Sequence, residues 1–227
     1  AREGLSVAAL SLRPAYHDFL DAPTGGPLAE ITVLSVAARQ IEEQDVELTD
    51  FTFFAASSLK ARSALFSPWS WRLSTGVTGV RWQEEPAADA ALPPEDEETA
   101  YLQALDGSEW INPLYARLLM GPAWGNRDVA VYQLVGAEIQ AAGEFDQDAE
   151  ALALWNPGIV ARSERWQAQL EMQVYEPANA DRDTYGGASA SLSRRLSTEA
   201  AIYVKALREK DVLGLQNEGQ LGLALYF

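Results

Sequence analysis

The stretch WQAQLEMQV sets apolar Trp166, Ala168, Leu170, Met172 and Val174 between polar Gln167, Gln169, Glu171 and Gln173. A helix would scatter the apolar set around its circumference, whereas a strand puts all of it on one face. WSWRLSTGV repeats the pattern, with Trp69, Trp71, Leu73 and Val77 against Ser70, Arg72, Ser74 and Gly76. This period of two predicts strands at about 5–15, 28–41, 46–60, 69–83, 115–125, 129–143, 150–161, 165–176, 184–195, 199–209 and 213–227. Turn signals such as EEQD, GNRD, FDQD and REKD separate them, so neighbours are expected to pair as antiparallel hairpins in a meander. One stretch breaks the rhythm, an acidic, Pro-containing loop at about 84–114, inside what reads as a single domain over residues 1–227.

Alternation alone does not say which face meets the core. A soluble barrel buries the apolar set around a ligand cavity, whereas a membrane barrel turns it outward. Two features favour the membrane reading. Many strands run to about 12–15 residues, against the usual 5–6, which suits a tilted bilayer crossing. Aromatic residues also gather near strand ends, among them Trp69, Trp82, Trp110, Trp155, Trp166, Tyr185 and Tyr203, where amphipathic rings would form girdles. The expected fold is all-β, an antiparallel up-and-down transmembrane β-barrel of about twelve strands, with ten to fourteen compatible.

Composition removes other classes. The formal net charge of −16 speaks against nucleic acid as a partner and against a basic patch that docks on an anionic membrane. The chain has no Cys, which rules out disulfides and thiolate sites, and only one His, which rules out a His-rich metal centre. No metal or cofactor is expected. The order of a secretory signal is not visible in AREGLSVAAL, and no run of about 18 uncharged apolar residues could form a membrane helix.

The chain closes on GQLGLALYF, with Leu221, Leu223, Leu225 and Phe227 on one parity and Tyr226 beside them. This resembles the terminal strand of bacterial outer-membrane barrels, whose final Phe lies on the lipid-facing parity. The resemblance implies recognition by the barrel-assembly machinery, contact with outer-membrane lipid and lipopolysaccharide, and residence in the outer membrane of a Gram-negative bacterium. Such barrels have an even strand number. Eleven predicted strands therefore need a twelfth, either within Thr99–Gly107 or before Ala1.

Catalytic signals are sparse. His17 and Asp18, with Asp21 nearby, form a candidate base and orienter, but adjacent strand residues point to opposite faces. Catalysis in this chain is not expected. Glu42–Glu43 and Glu84–Glu85 lack the spacing of a calcium loop. The polar parity is expected to line the lumen through Arg72, Gln167, Gln169, Glu171, Gln173 and Arg194, with charges paired or facing water.

Leu12, Arg13, His17, Asp18, Asp21, Ser67, Pro68, Ser70, Trp71 and Gly76 carry one further resemblance. Their pattern is similar to the C-terminal region of large envelope proteins whose N-terminal periplasmic domain resembles a lipoprotein N-acyl transferase. It implies a barrel that anchors or scaffolds a periplasmic domain or envelope partner. The other readings are a cation-preferring diffusion channel, from the acidic excess and small polar parity, and a soluble ligand-binding barrel.

Overall fold

The computed structural model describes residues 7–12, 15–17, 29–41, 46–62, 66–82, 109–126, 128–143, 145, 148–178, 184–197, 200–211 and 214–225. Among them every regular element is a β-strand, and none is a helix long and apolar enough to cross a membrane. The strands are β1 (Val7–Leu12), β2 (Ala15–His17), β3 (Ala29–Ile41), β4 (Val46–Ser58), β5 (Ser70–Thr78), β6 (Val80–Trp82), β7 (Glu109–Ile111) and β8 (Leu114–Gly121). They continue with β9 (Ala123–Gly125), β10 (Val129–Ala141), β11 (Ala149–Arg162), β12 (Trp166–Pro177), β13 (Tyr185–Arg195), β14 (Ala200–Asp211) and β15 (Gly214–Leu225).

The short elements are segments of longer strands. β1 and β2 both pair with β3, β8 and β9 both pair with β10, and β6 with β7 prolongs the β5–β8 pair. What remains is a meander in chain order, β1-β3-β4-β5-β8-β10-β11-β12-β13-β14-β15, with every neighbouring pair antiparallel. These eleven strands coincide with those read from the alternation. Ten antiparallel steps, an even number, make β1 and β15 run in the same direction, and among the described residues they do not pair with each other. β5 pairs directly with β8, and the strand expected within Thr99–Gly107 lies outside the described residues. Residues 83–108, which hold most of the expected acidic loop, lie outside the described residues.

Side chains sort by parity in the inverted sense. On β10, Val131, Val135 and Ile139 are exposed, while Tyr132, Leu134, Glu138 and Gln140 are buried. Neighbours Glu138 and Ile139 are 1% and 57% exposed. On β12, Leu170 and Met172 are exposed while Gln167 and Glu171 are buried, and on β14 Ile202 and Val204 face outward. A soluble barrel needs the reverse, because leaving large apolar side chains in water forgoes about 1.5–3 kcal/mol each. Lipid removes that penalty, and the outward apolar belt is what a transmembrane barrel presents.

Local irregularity adjusts this sorting. The β4–β5 register shifts between Thr52 and Phe54, and the consecutive Phe53 and Phe54 are both exposed as a result. Strict alternation would have sent one of them inward.

Candidate functional site: a bridged polar interior

The interior is built where inward positions of β5, β8, β10, β11 and β12 converge. Arg72 on β5 donates from one terminal nitrogen to Glu171 Oε2 on β12 at 3.0 Å and to Asn156 Oδ1 on β11 at 2.9 Å. β5 and β12 are four steps apart along the sheet. In a flat sheet that is roughly 19 Å, at about 4.8 Å per strand, beyond the joint reach of the two side chains. Their contact therefore requires the sheet to curl, and Arg72–Glu171 spans the space it encloses.

Glu171 is the hub. Its Oε2 also accepts from the Tyr132 hydroxyl at 2.5 Å and from Gln169 Nε2 at 3.1 Å, and its Oε1 accepts from Gln173 Nε2 at 2.8 Å. Gln173 Oε1 accepts from the Tyr175 hydroxyl at 2.6 Å, and that hydroxyl accepts from Arg117 at 3.0 Å. Arg117 Nε donates to Glu138 Oε2 at 2.5 Å, and Glu138 Oε1 accepts from Gln140 Nε2 at 2.6 Å. Arg117 lies 5.6 Å over the rings of both Tyr115 and Tyr175, and Tyr175 stacks on Tyr185 at 4.8 Å. Two guanidinium groups thus meet two carboxylates in one connected network. Glu171 accepts from four donors and Glu138 from two, the condition under which a buried charge is tolerated.

An apolar cluster adjoins this network inside the sheet. Leu59, Leu119, Leu134, Leu152, Leu154 and Val160 pack with Tyr132. Leu59 arrives from the segment after β4, which folds back: Arg62 N donates to Ala123 O at 2.8 Å and Lys60 N to Ser70 Oγ at 2.9 Å. The interior is therefore polar in one part and apolar in another, not uniformly hydrophilic.

Gly158 makes room for the bridge. It faces Tyr132 across β10–β11, and a Cβ there would overlap the ring and hydroxyl. Gly158→Ala is expected to displace Tyr132 from Glu171 and to destabilise the fold by about 1–3 kcal/mol. The midpoint of the heat-induced shift in gel mobility, compared with wild type, checks it.

Of the residues expected to line the lumen, Arg72, Gln167, Gln169, Glu171 and Gln173 lie on the inward parity, all but Gln167 joined in this network. Arg194 does not join them. It pairs across to Trp166 on the outward face, with its guanidinium 5.2 Å over the indole. Leu221, Leu223 and Leu225 lie on β15 opposite Val204, Ile202 and Ala200. Tyr226 and Phe227 lie outside the described residues, as do Arg13, Asp18 and Asp21. His17 sits on β2 opposite Ile31. Sequence reasoning missed Arg117, Tyr132, Glu138 and Asn156. A signal for two of them existed: Arg117 and Glu138 are charges on the parity opposite Leu118, Met120, Val135 and Ile139.

A family profile for DUF7840, described as a domain of unknown function, matches residues 1–226. The chain belongs to the DUF7840 family. No curated protein matches it. Among solved structures, the DUF7840 chain is similar to the NanC porin in a rhombohedral crystal form. The TM-score is 0.51 at 8% sequence identity, covering 97% of this chain and 93% of that one. At that identity the likeness concerns the fold, and it agrees with a transmembrane β-barrel.

Proposed function

We propose that this DUF7840 chain is an outer-membrane barrel of a Gram-negative envelope that anchors or scaffolds a periplasmic domain or partner complex. The observation that carries this reading is the bridged interior. Arg72–Glu171 runs from wall to wall, and Leu59 with its apolar neighbours occupies the adjoining part. A pathway for solutes needs water and weak, exchangeable contacts along its length. In this reading the C-terminal end of β15 faces the periplasm, and the partner is a domain of the kind the envelope-family resemblance implies, one that resembles a lipoprotein N-acyl transferase. Lipid, lipopolysaccharide and the assembly machinery are the remaining contacts.

A diffusion channel is the second reading, favoured by the porin among the similar solved structures. Planar-bilayer recording separates the two. The anchor reading expects no conductance steps from the wild-type chain under conditions in which it shows the heat-dependent gel mobility of a folded barrel. Regular, cation-selective steps would replace it with the channel.

A further inference from the structure

The strand ends fall into two groups by strand direction. The C-terminal ends of β4, β8, β11, β13 and β15 and the N-terminal ends of β3, β5, β10, β12 and β14 lie at one end of the sheet. The opposite ends of the same strands, among them Ile41, Thr78, Ala141, Pro177 and Asp211, lie at the other. The first end is the cationic one. It carries Lys60, Arg62, Arg162, Arg165, Arg194 and Arg195, against Glu30, Asp128 and Glu164 among the described residues. The net charge of −16 averages over both ends and describes neither.

The same end carries the aromatic belt. Trp69, Trp124 and Trp166 are exposed there, at the border of the outward apolar face. Two of these rings hold cations: Arg194 lies 5.2 Å over Trp166 and Arg62 lies 5.8 Å over Trp69. Outward tryptophans settle at headgroup depth, and long cationic side chains beside them reach the same layer. Arg165 is exposed, and its carbonyl accepts from Arg195 N at 2.9 Å, which brings the β12 and β13 cations to one hairpin edge.

The geometry points to this rim as a binding surface for the phosphate headgroups of anionic phospholipid in the leaflet it meets. The inference rests on the transmembrane reading and adds the lipid class. Guanidinium groups offer bidentate donors to phosphate, and the neighbouring indoles fix their depth. Each surface cation contributes about fivefold to the preference for an anionic lipid at low salt.

The test uses the full chain folded into phosphatidylcholine vesicles that contain phosphatidylglycerol, with tryptophan fluorescence quenched by brominated forms of one lipid or the other. Wild type is expected to be quenched more strongly by brominated phosphatidylglycerol, with the preference falling as salt rises. Replacing Arg165, Arg194 and Arg195 by Gln is expected to abolish most of it, and the three Lys replacements to restore part. Equal quenching by both lipids in wild type overturns the inference, as does a Gln variant that keeps the preference. Loss of the preference when inorganic phosphate replaces chloride at constant ionic strength also overturns it, by assigning the rim to a soluble anion. A chain that does not insert at all sinks the transmembrane reading itself, whereas insertion without lipid preference sinks only the rim.

Discussion

Glu171→Ala is expected to lower the free energy of unfolding by about 3–5 kcal/mol, the cost of leaving a buried charge without its partner. The stranded group is Arg72, which keeps Asn156 as an acceptor but loses the carboxylate. The Tyr132, Gln169 and Gln173 donors lose their shared acceptor at the same time. Arg72→Met combined with Glu171→Leu should cost less, because no charge remains buried and the volume is nearly kept, although the Tyr132, Gln169 and Gln173 donors still lack Glu171 as acceptor. Urea unfolding in lipid vesicles, followed by gel mobility, measures all three chains. If the single variant loses under about 1 kcal/mol, the bridge is hydrated and the pair is worth no more than a surface one. The single variant also bears on the anchor reading. If Arg72–Glu171 is what bars the interior, removing it should produce conductance steps where wild type gives none.

That bridge was only partly legible beforehand. Parity placed Arg72 and Glu171 on one set of faces, because strand alternation is a local property written in consecutive residues. Their mutual contact is not local. It depends on how sharply four intervening steps of sheet curl, and no residue pattern encodes that. The strand boundaries were legible for the same local reason: WQAQLEMQV maps onto β12, and the run read at 129–143 maps onto Val129–Ala141.

Where parity misled, tertiary contacts had the deciding vote. In ALALWNPGIV both faces are apolar, because Leu152 and Leu154 pack inward on Leu59 and Leu134 while Trp155 and Ile159 face out. The bulge at Thr52/Phe54 put two successive Phe residues on the outer face. Arg194 was read as inward because Arg is polar, but it shares the outward face with Trp166, whose ring and headgroup depth suit a cation. The expected acidic loop broke the sequence rhythm without breaking the sheet, since β5 and β8 pair across it.

Val204→Arg, on the outward face of β14, tests the orientation on which every functional reading depends. Val204 is 52% exposed, and its neighbour across β13–β14 is the equally outward Leu192. In a bilayer, an arginine near mid-depth on the lipid face should cost about 2–4 kcal/mol, falling toward zero near either rim. On a face that meets water, the same substitution should stay within about 0.5 kcal/mol. The two cases therefore differ severalfold, and depth supplies an internal control. An arginine at Leu192 should cost as much as one at Val204, and one at Leu196, beyond the end of β13, should cost much less. The readout is the urea midpoint of vesicle-inserted chain against wild type. A flat, small penalty along all three positions would mean that Leu170, Val204 and their neighbours face water, and the barrel would have to be turned inside out.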